Sequence, residues 1–166
     1  MIRLDRISPE NALAFKTVRL RALQDSPTAF GSTFAREAPL SDEEWLQRSH
    51  RWISDGSIGY LAFDGEFCCG LVACYTEESN AESGHIISMW VDPGSRRAGT
   101  GRALIEALIA WVSSRGLRQL RLMVTSVNTG AIGFYERLNF GMTGRTEPYP
   151  NDPAIVEYEM ILQLNA

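Results

Sequence analysis

The chain has 166 residues and a net charge of −4, with 45% apolar and 22% charged residues. That length buries a sizeable core without staples, and the mild acidity disfavours nucleic acid as a principal partner. No apolar run reaches the length of a membrane helix, no signal segment is recognisable, and the two histidines lack ligand spacing, so neither a membrane nor a metal is expected.

Cys68, Cys69 and Cys74 sit in one short apolar run, and their odd number predicts a reducing, cytoplasmic setting. Residues 1–7 alternate weakly and predict a first strand. Ser8 followed by Pro9 is an N-cap with proline in the first turn. The helix it starts runs to about Gln24, with Phe15, Val18 and Ala22 on one face. Residues 25–40 hold two prolines, a glycine and several hydroxyls and read as loop. Ser41-Asp42-Glu43-Glu44 is a capping box opening a second helix, whose Trp45, Ser49 and Trp52 share a face. Asp55-Gly56 ends it. Residues 58–63 and 67–75 are strands about Asp64-Gly65, a hairpin signal. Residues 76–84 are polar and acidic and predict a solvated turn, and 85–91 are a strongly apolar strand closed by Asp92-Pro93-Gly94.

From Gly101 the period becomes helical, with Ala103, Leu104, Ala107, Leu108, Trp111 and Val112 in one stripe and Gly116 as the stop. Residues 120–124 are a strand, 129–138 a short helix and 140–145 a further strand. Residues 147–153 carry three prolines and predict a loop, and 155–164 alternate as a closing strand. The order β-α-α-β-β-β-α-β-α-β-β predicts a single α/β domain over 1–166, with an antiparallel front half and a βαβ unit behind it.

The sharpest local signal is the turn Val91-Asp92-Pro93-Gly94-Ser95-Arg96-Arg97-Ala98-Gly99-Thr100-Gly101-Arg102. It leads from a buried strand into a helix whose first amides lack intrahelical acceptors and whose dipole favours an anion. Gly99 and Gly101 leave room for a pyrophosphate to approach, and Arg96, Arg97 and Arg102 add positive charge. A P-loop would need Gly-Lys followed by Ser or Thr, which is missing. A Rossmann fingerprint would need a third glycine where Leu104 stands, and an acidic residue about 20 positions on, where Leu120-Arg121-Leu122 runs.

Arg96-x-x-Gly99-x-Gly101 resembles the Q/R-x-x-G-x-G/A motif of the GNAT superfamily of N-acetyltransferases. The preceding Val91-Asp92-Pro93, the amphipathic helix, the strand ending near Asn128 and Ala131-x-x-Phe134-Tyr135-x-x-Leu138-x-Phe140 match that pattern in order and spacing. Asn139 departs from it, standing where many relatives have glycine; Asn tolerates the left-handed conformation a helix end demands. The resemblance implies a GNAT-like mixed, mostly antiparallel central sheet flanked by helices. It also implies acetyl-CoA as co-substrate and acetyl transfer to a primary amine on a small molecule or peptide. Many relatives dimerise, which makes a homodimer a candidate assembly.

Carried over residue by residue, the resemblance assigns the main chain of Met89, Trp90 and Val91 to the pantetheine arm and thioester. It assigns the amides from Arg96 through Arg97, Ala98, Gly99 and Thr100 to Gly101 to the pyrophosphate, and Asn128 and Phe134 to flanking contacts. Asn128 also reads as a helix cap. The attacking amine must lose a proton, because an alkyl ammonium has a pKa of about 10.4, and the departing thiolate gains one. The resemblance makes Tyr135 the general acid. His85 is the leading base, with Glu82 or ordered water as alternatives. Phe30, Phe34 and Tyr149 are candidate lining residues for the acceptor. Two other functions stay open: a transferase using a longer acyl-CoA such as succinyl, and an acyl-CoA-binding sensor without turnover.

Overall fold

The computed structural model describes residues 1–164. Strands β1 (Ile2–Arg6), β2 (Ser57–Asp64), β3 (Phe67–Glu77), β4 (Asn80–Val91), β5 (Gln119–Thr125), β6 (Gly141–Tyr149) and β7 (Asp152–Gln163) form one sheet, in the order β1-β2-β3-β4-β5-β7-β6. Every neighbouring pair is antiparallel except β4 with β5. Helices α1 (Ala12–Asp25), α2 (Phe34–Glu37) and α3 (Asp42–His50) lie on one face, and α4 (Thr100–Ser114) and α5 (Thr129–Arg137) on the other. This is the mixed, mostly antiparallel sheet that the sequence predicts.

Alternation along β3 feeds both cores. Val72 and Cys74 pack under Leu104, Leu108 and Val112 of α4, while Leu71 and Ala73 pack under Phe15, Val18 and Trp45 on the opposite side. A strand buried on both faces reads as a continuous apolar run, which is why residues 68–74 carry almost no polar side chain. Ser41 and Glu44 form the capping box foreseen, each side chain taking the other's backbone amide.

Three segments depart from expectation. Residues 76–84 are strand for most of their length, because β3 runs to Glu77 and β4 starts at Asn80. Residues 147–153 likewise belong mostly to β6 and β7. Pro148 sits in β6, an edge strand, where the missing amide donor is tolerated. The loop 25–40 contains α2, capped by Thr33, whose hydroxyl accepts from the Arg36 amide; its single buried residue is Glu37.

The pairing of β4 with β5 decides where a ligand can enter. It covers only Ser83–Gln119, Gly84–Leu120 and His85–Arg121. Gly84 makes the packing there tight: a Cβ would lie 2.8 Å from Val112 Cγ1 of α4, 2.9 Å from Cys74 Sγ of β3 and 3.2 Å from Leu120 Cδ2 of β5. Beyond His85 the strands part, each keeping its outer partner. On β4, Ser88 and Met89 both stand against Val72, between the pairs Leu71–Trp90 and Ala73–Ile87. Ser88 has φ +58. An extra residue of this kind bends and twists a strand, and this one lies in the part of β4 that has no β5 partner.

Candidate active site

The gap between β4 and β5 opens into a cleft of about 790 Å³ that passes through the sheet. Tyr135, Asn128 and Ala131 line it from α5 and the turn before it; His85, Ile87, Ser88 and Met89 line it from β4. Arg19 of α1, the loop at Phe30, Arg121 of β5 and Glu157 and Glu159 of β7 complete the wall.

The loop after β4 is held by its own side chains. Asp92 Oδ2 accepts from the Gly94 amide at 3.1 Å, while Asp92 Oδ1 pairs with Arg21 of α1. Arg96 departs from the expected role of a free phosphate-facing charge. Its Nε donates to the Val91 carbonyl at 2.8 Å and its Nη2 to Asp25 at 3.1 Å. Trp90 Nε1 donates to the same Asp25 oxygen at 3.0 Å. Burial would raise the Asp25 pKa, but the bonds from Trp90 and Ser26 and the Arg96 charge outweigh it and hold the carboxyl below its usual 3.8. Arg96 thus ties the loop to the end of α1. Arg97 is exposed, with φ +64, and Arg102 pairs with Glu106 at 3.6 Å.

Gly99 has φ +87 and faces open space. The first α4 bond runs from the Ala103 amide to the Gly99 carbonyl at 3.0 Å, and among the described residues nothing accepts from the amides of residues 97–102. Thr100 is 1% exposed and its Oγ1 has no partner. A row of free amides and an orphaned hydroxyl at a helix start suit an anionic group such as a pyrophosphate. Gly101 serves a different purpose from the one expected. A Cβ there would lie 2.9 Å from Phe134 Cζ and 3.4 Å from Met89 Cε, so its bareness lets α4 settle on α5 and β4.

Of the β4 residues expected at the cofactor arm, Met89 lines the cleft. Trp90 and Val91 are buried beside it, the first bonded to Asp25 and the second to Arg96. Asn128 caps α5, its Oδ1 accepting from the Ala131 amide at 3.2 Å, and the residue also lines the cleft. Phe134 is seated against Gly101 and stacks edge-on to Tyr135 at 5.3 Å.

Tyr135 is 7% exposed, packed on Phe140, and borders the cleft. Burial raises its phenol above the usual 10, so it stays protonated at any working pH. His85 reaches the cleft from the other side of the sheet. Its ring stacks on Tyr75 at 5.2 Å, and Nε2 is enclosed without a partner. Burial lowers its pKa below 6.5; Arg121 adds to that, and Glu77 and Glu159 oppose it. A neutral imidazole with a free nitrogen can accept a proton. Glu82 is exposed and outside the cleft.

The acceptor-lining residues separate. Phe30 lines the cleft, its ring beneath the Arg19 guanidinium at 5.0 Å. Tyr149 is 1% exposed and braces that loop from behind, its hydroxyl donating to the carbonyls of Phe30 and Pro27. Phe34 opens α2 and is 37% exposed, away from the cleft. Sequence reasoning missed Arg19, Ser88, Arg121, Glu157 and Glu159. Only Arg121 carried a signal, as a charge between Leu120 and Leu122 in an apolar strand. Glu159, 5% exposed, accepts from Thr143 at 2.8 Å and faces Arg121 at 3.5 Å and Arg145 at 3.6 Å. Glu157 has no cationic partner among the described residues; burial, then Glu147 across the strand pair, raises its pKa above 4.5.

Known proteins share this fold. The model of the Acetyltransferase (GNAT) family matches residues 20–140, and the chain belongs to that family. It is 29% identical over 140 residues to mycothiol acetyltransferase of Thermobispora bispora, a match covering 84% of this chain and 46% of that one. The chain therefore spans about half the length of that relative. It is 28% identical over 160 residues to peptidyl-lysine N-acetyltransferase YjaB of Salmonella typhimurium, covering 90% and 94%. The fold superposes on a GNAT acetyltransferase from Streptococcus pneumoniae with TM-score 0.79 at 23% identity, over 99% of this chain and 100% of that one. The Salmonella typhimurium protein yncA, solved with acetyl-CoA, gives 0.79 at 16% identity, over 100% and 95%. Among the described residues no helix is long and apolar enough to cross a membrane, and no group of three or more His, Cys, Asp or Glu is arranged to hold a metal.

Proposed function

We propose that the protein transfers an acetyl group from acetyl-CoA to a primary amine entering the cleft from the α1 face. The observation that carries this reading is the parting of β4 from β5 after His85. It leaves one edge of β4 without a strand partner, between the buried phenol of Tyr135 and the enclosed nitrogen of His85. The free amides of residues 97–102 lie just beyond that edge and suit the coenzyme diphosphate. The β4 edge then holds the pantetheine arm, and a main-chain amide near Met89 donates to the thioester oxygen as it gains charge.

The amine arrives protonated. Glu77 and Glu157 in the wall favour a cation, and Glu157 is not neutralised by any described arginine. His85, directly or through water, accepts the proton that frees the nitrogen lone pair. The C–N bond forms and the C–S bond breaks; Tyr135 gives its proton to the departing thiolate, and the second proton that the nitrogen sheds in becoming an amide restores the phenol. The name of the Salmonella relative specifies peptidyl-lysine and that of the Thermobispora relative mycothiol, so the acceptor classes to try are lysyl peptides and small amines. Three free cysteines fit a reducing, cytoplasmic setting. Release of free thiol from acetyl-CoA across an amine panel tests the reading. Amine-dependent release is the expected result; coenzyme binding with no release from any amine would leave a sensor in its place.

A further inference from the structure

On the acceptor wall a buried ion cluster meets the bulge of β4. Arg19 of α1 is 11% exposed and forks onto Glu37, Nε to Oε1 at 3.1 Å and Nη2 to Oε2 at 3.0 Å. Glu37 is 2% exposed, is the one buried residue of α2, and takes a second cation, Arg48 of α3, at 3.0 Å. Burial would raise the Glu37 pKa, but Arg19 and Arg48 outweigh it, so the carboxylate stays charged. With two of its nitrogens fixed, the planar guanidinium has one direction left for Nη1. It donates to Ser88 Oγ at 3.2 Å. Ser88 is the bulge residue with φ +58, a conformation its Cβ disfavours. Nothing else in its side-chain hydrogen bonding holds it there among the described residues.

We propose that Arg19 is a positioning residue for acetyl transfer: by holding Ser88 in the left-handed conformation it fixes the bulge, and so aims the free edge of β4 at the thioester. The proposal rests on the acetyltransferase reading. It explains why α1, α2 and α3 converge on one side chain that touches no part of the coenzyme loop. It also separates orientation from binding. Loss of Arg19 acts on the rate of the bound complex, because the amides that hold the diphosphate belong to the α4 turn.

The test is a four-protein cycle of wild type, Arg19→Met, Ser88→Gly and the double variant. Glycine adopts a positive φ unaided, so the bulge no longer needs its tether. With Ser88 present, Arg19→Met is expected to lower kcat about tenfold with the acetyl-CoA KM unchanged. With Gly at position 88 the same change is expected to cost less than about twofold, a coupling that general destabilisation does not produce. An equal loss in both backgrounds overturns the proposal and leaves the acetyltransferase reading intact. Should Arg19→Met fold poorly, Glu37→Gln is added to all four proteins, since it removes the buried charge left behind. A crystal structure of Arg19→Met in which Ser88 keeps its positive φ also overturns the proposal, whatever the turnover. Wild-type protein that acetylates no amine overturns both.

Discussion

One end of the cleft is made of main chain and the other of side chains. The end proposed for the coenzyme is a contiguous stretch, the loop after β4 and the first turn of α4, and what it offers is amides. The acceptor end collects Arg19, Phe30, His85, Arg121 and Glu157 from five separate elements, and what it offers is charge and shape. A main-chain site depends on backbone conformation, so it tolerates most side chains and is unforgiving where φ is positive, as at Gly99, or where a Cβ would clash, as at Gly101. A side-chain site can be rewritten one residue at a time. The contrast fits a family whose relatives carry the names of different acceptors.

The strongest way to break that contrast is at Gly99. Gly99→Asp puts a side chain and a negative charge where the amides converge, and is expected to weaken acetyl-CoA binding about 100-fold or more by calorimetry. A titration at wild-type strength would place the diphosphate elsewhere. Next comes the chemistry between the two ends. Tyr135→Phe is expected to lower kcat about 100-fold with little change in the acetyl-CoA KM; a rate equal to wild type removes the phenol as acid.

At the acceptor end the effects are smaller. His85→Ala is expected to lower kcat about tenfold at neutral pH. It should also erase the acidic limb of the rate profile. Burial holds the imidazole below 6.5, so in the wild type the rate falls only as the pH drops under that value and the ring gains its proton. An acidic limb that survives in the variant assigns proton removal to another group. The smallest effect belongs to Glu157→Gln. It is expected to raise KM for a cationic amine about threefold and leave the acetyl-CoA KM alone. If both KM values move together, the two ends are not separable in the way described.

The same contrast governs what could be read in advance. The turn into α4 was legible because a positive φ favours glycine and a helix start has a fixed grammar, both written within a dozen or so positions around Gly99 and Thr100. Even there the roles of single residues shifted. The Arg96 side chain, expected to add charge at the turn, is tied to Asp25, and Gly101, expected to give a ligand clearance, also makes room for Phe134. The acceptor end left little trace. The Arg19–Glu37–Ser88 chain links residues 18 and 69 positions apart, beyond any helical or strand period. Pro148 suggested a loop because proline removes a donor, but an edge strand such as β6 has a side on which no donor is needed. Likewise the polar composition of residues 76–84 marked exposure correctly as far as Glu82, missed the burial of Ser83 and Gly84, and overstated the turn: strands at a sheet's end can be as wet as loops.

The three-residue pairing of β4 with β5 has a consequence for solubility. Unpaired strand edges invite other chains to add to the sheet, and proteins usually blunt them with charge, proline or a cover. Here the bare edge of β4 lies inside a crevice flanked by α5 on one side and by Arg19 and the Phe30 loop on the other. A slender, flexible chain can slide in lengthwise, whereas a folded neighbour bringing its own β-strand is too bulky to follow. The protein thereby keeps an open template for one kind of guest without offering a seed for aggregation.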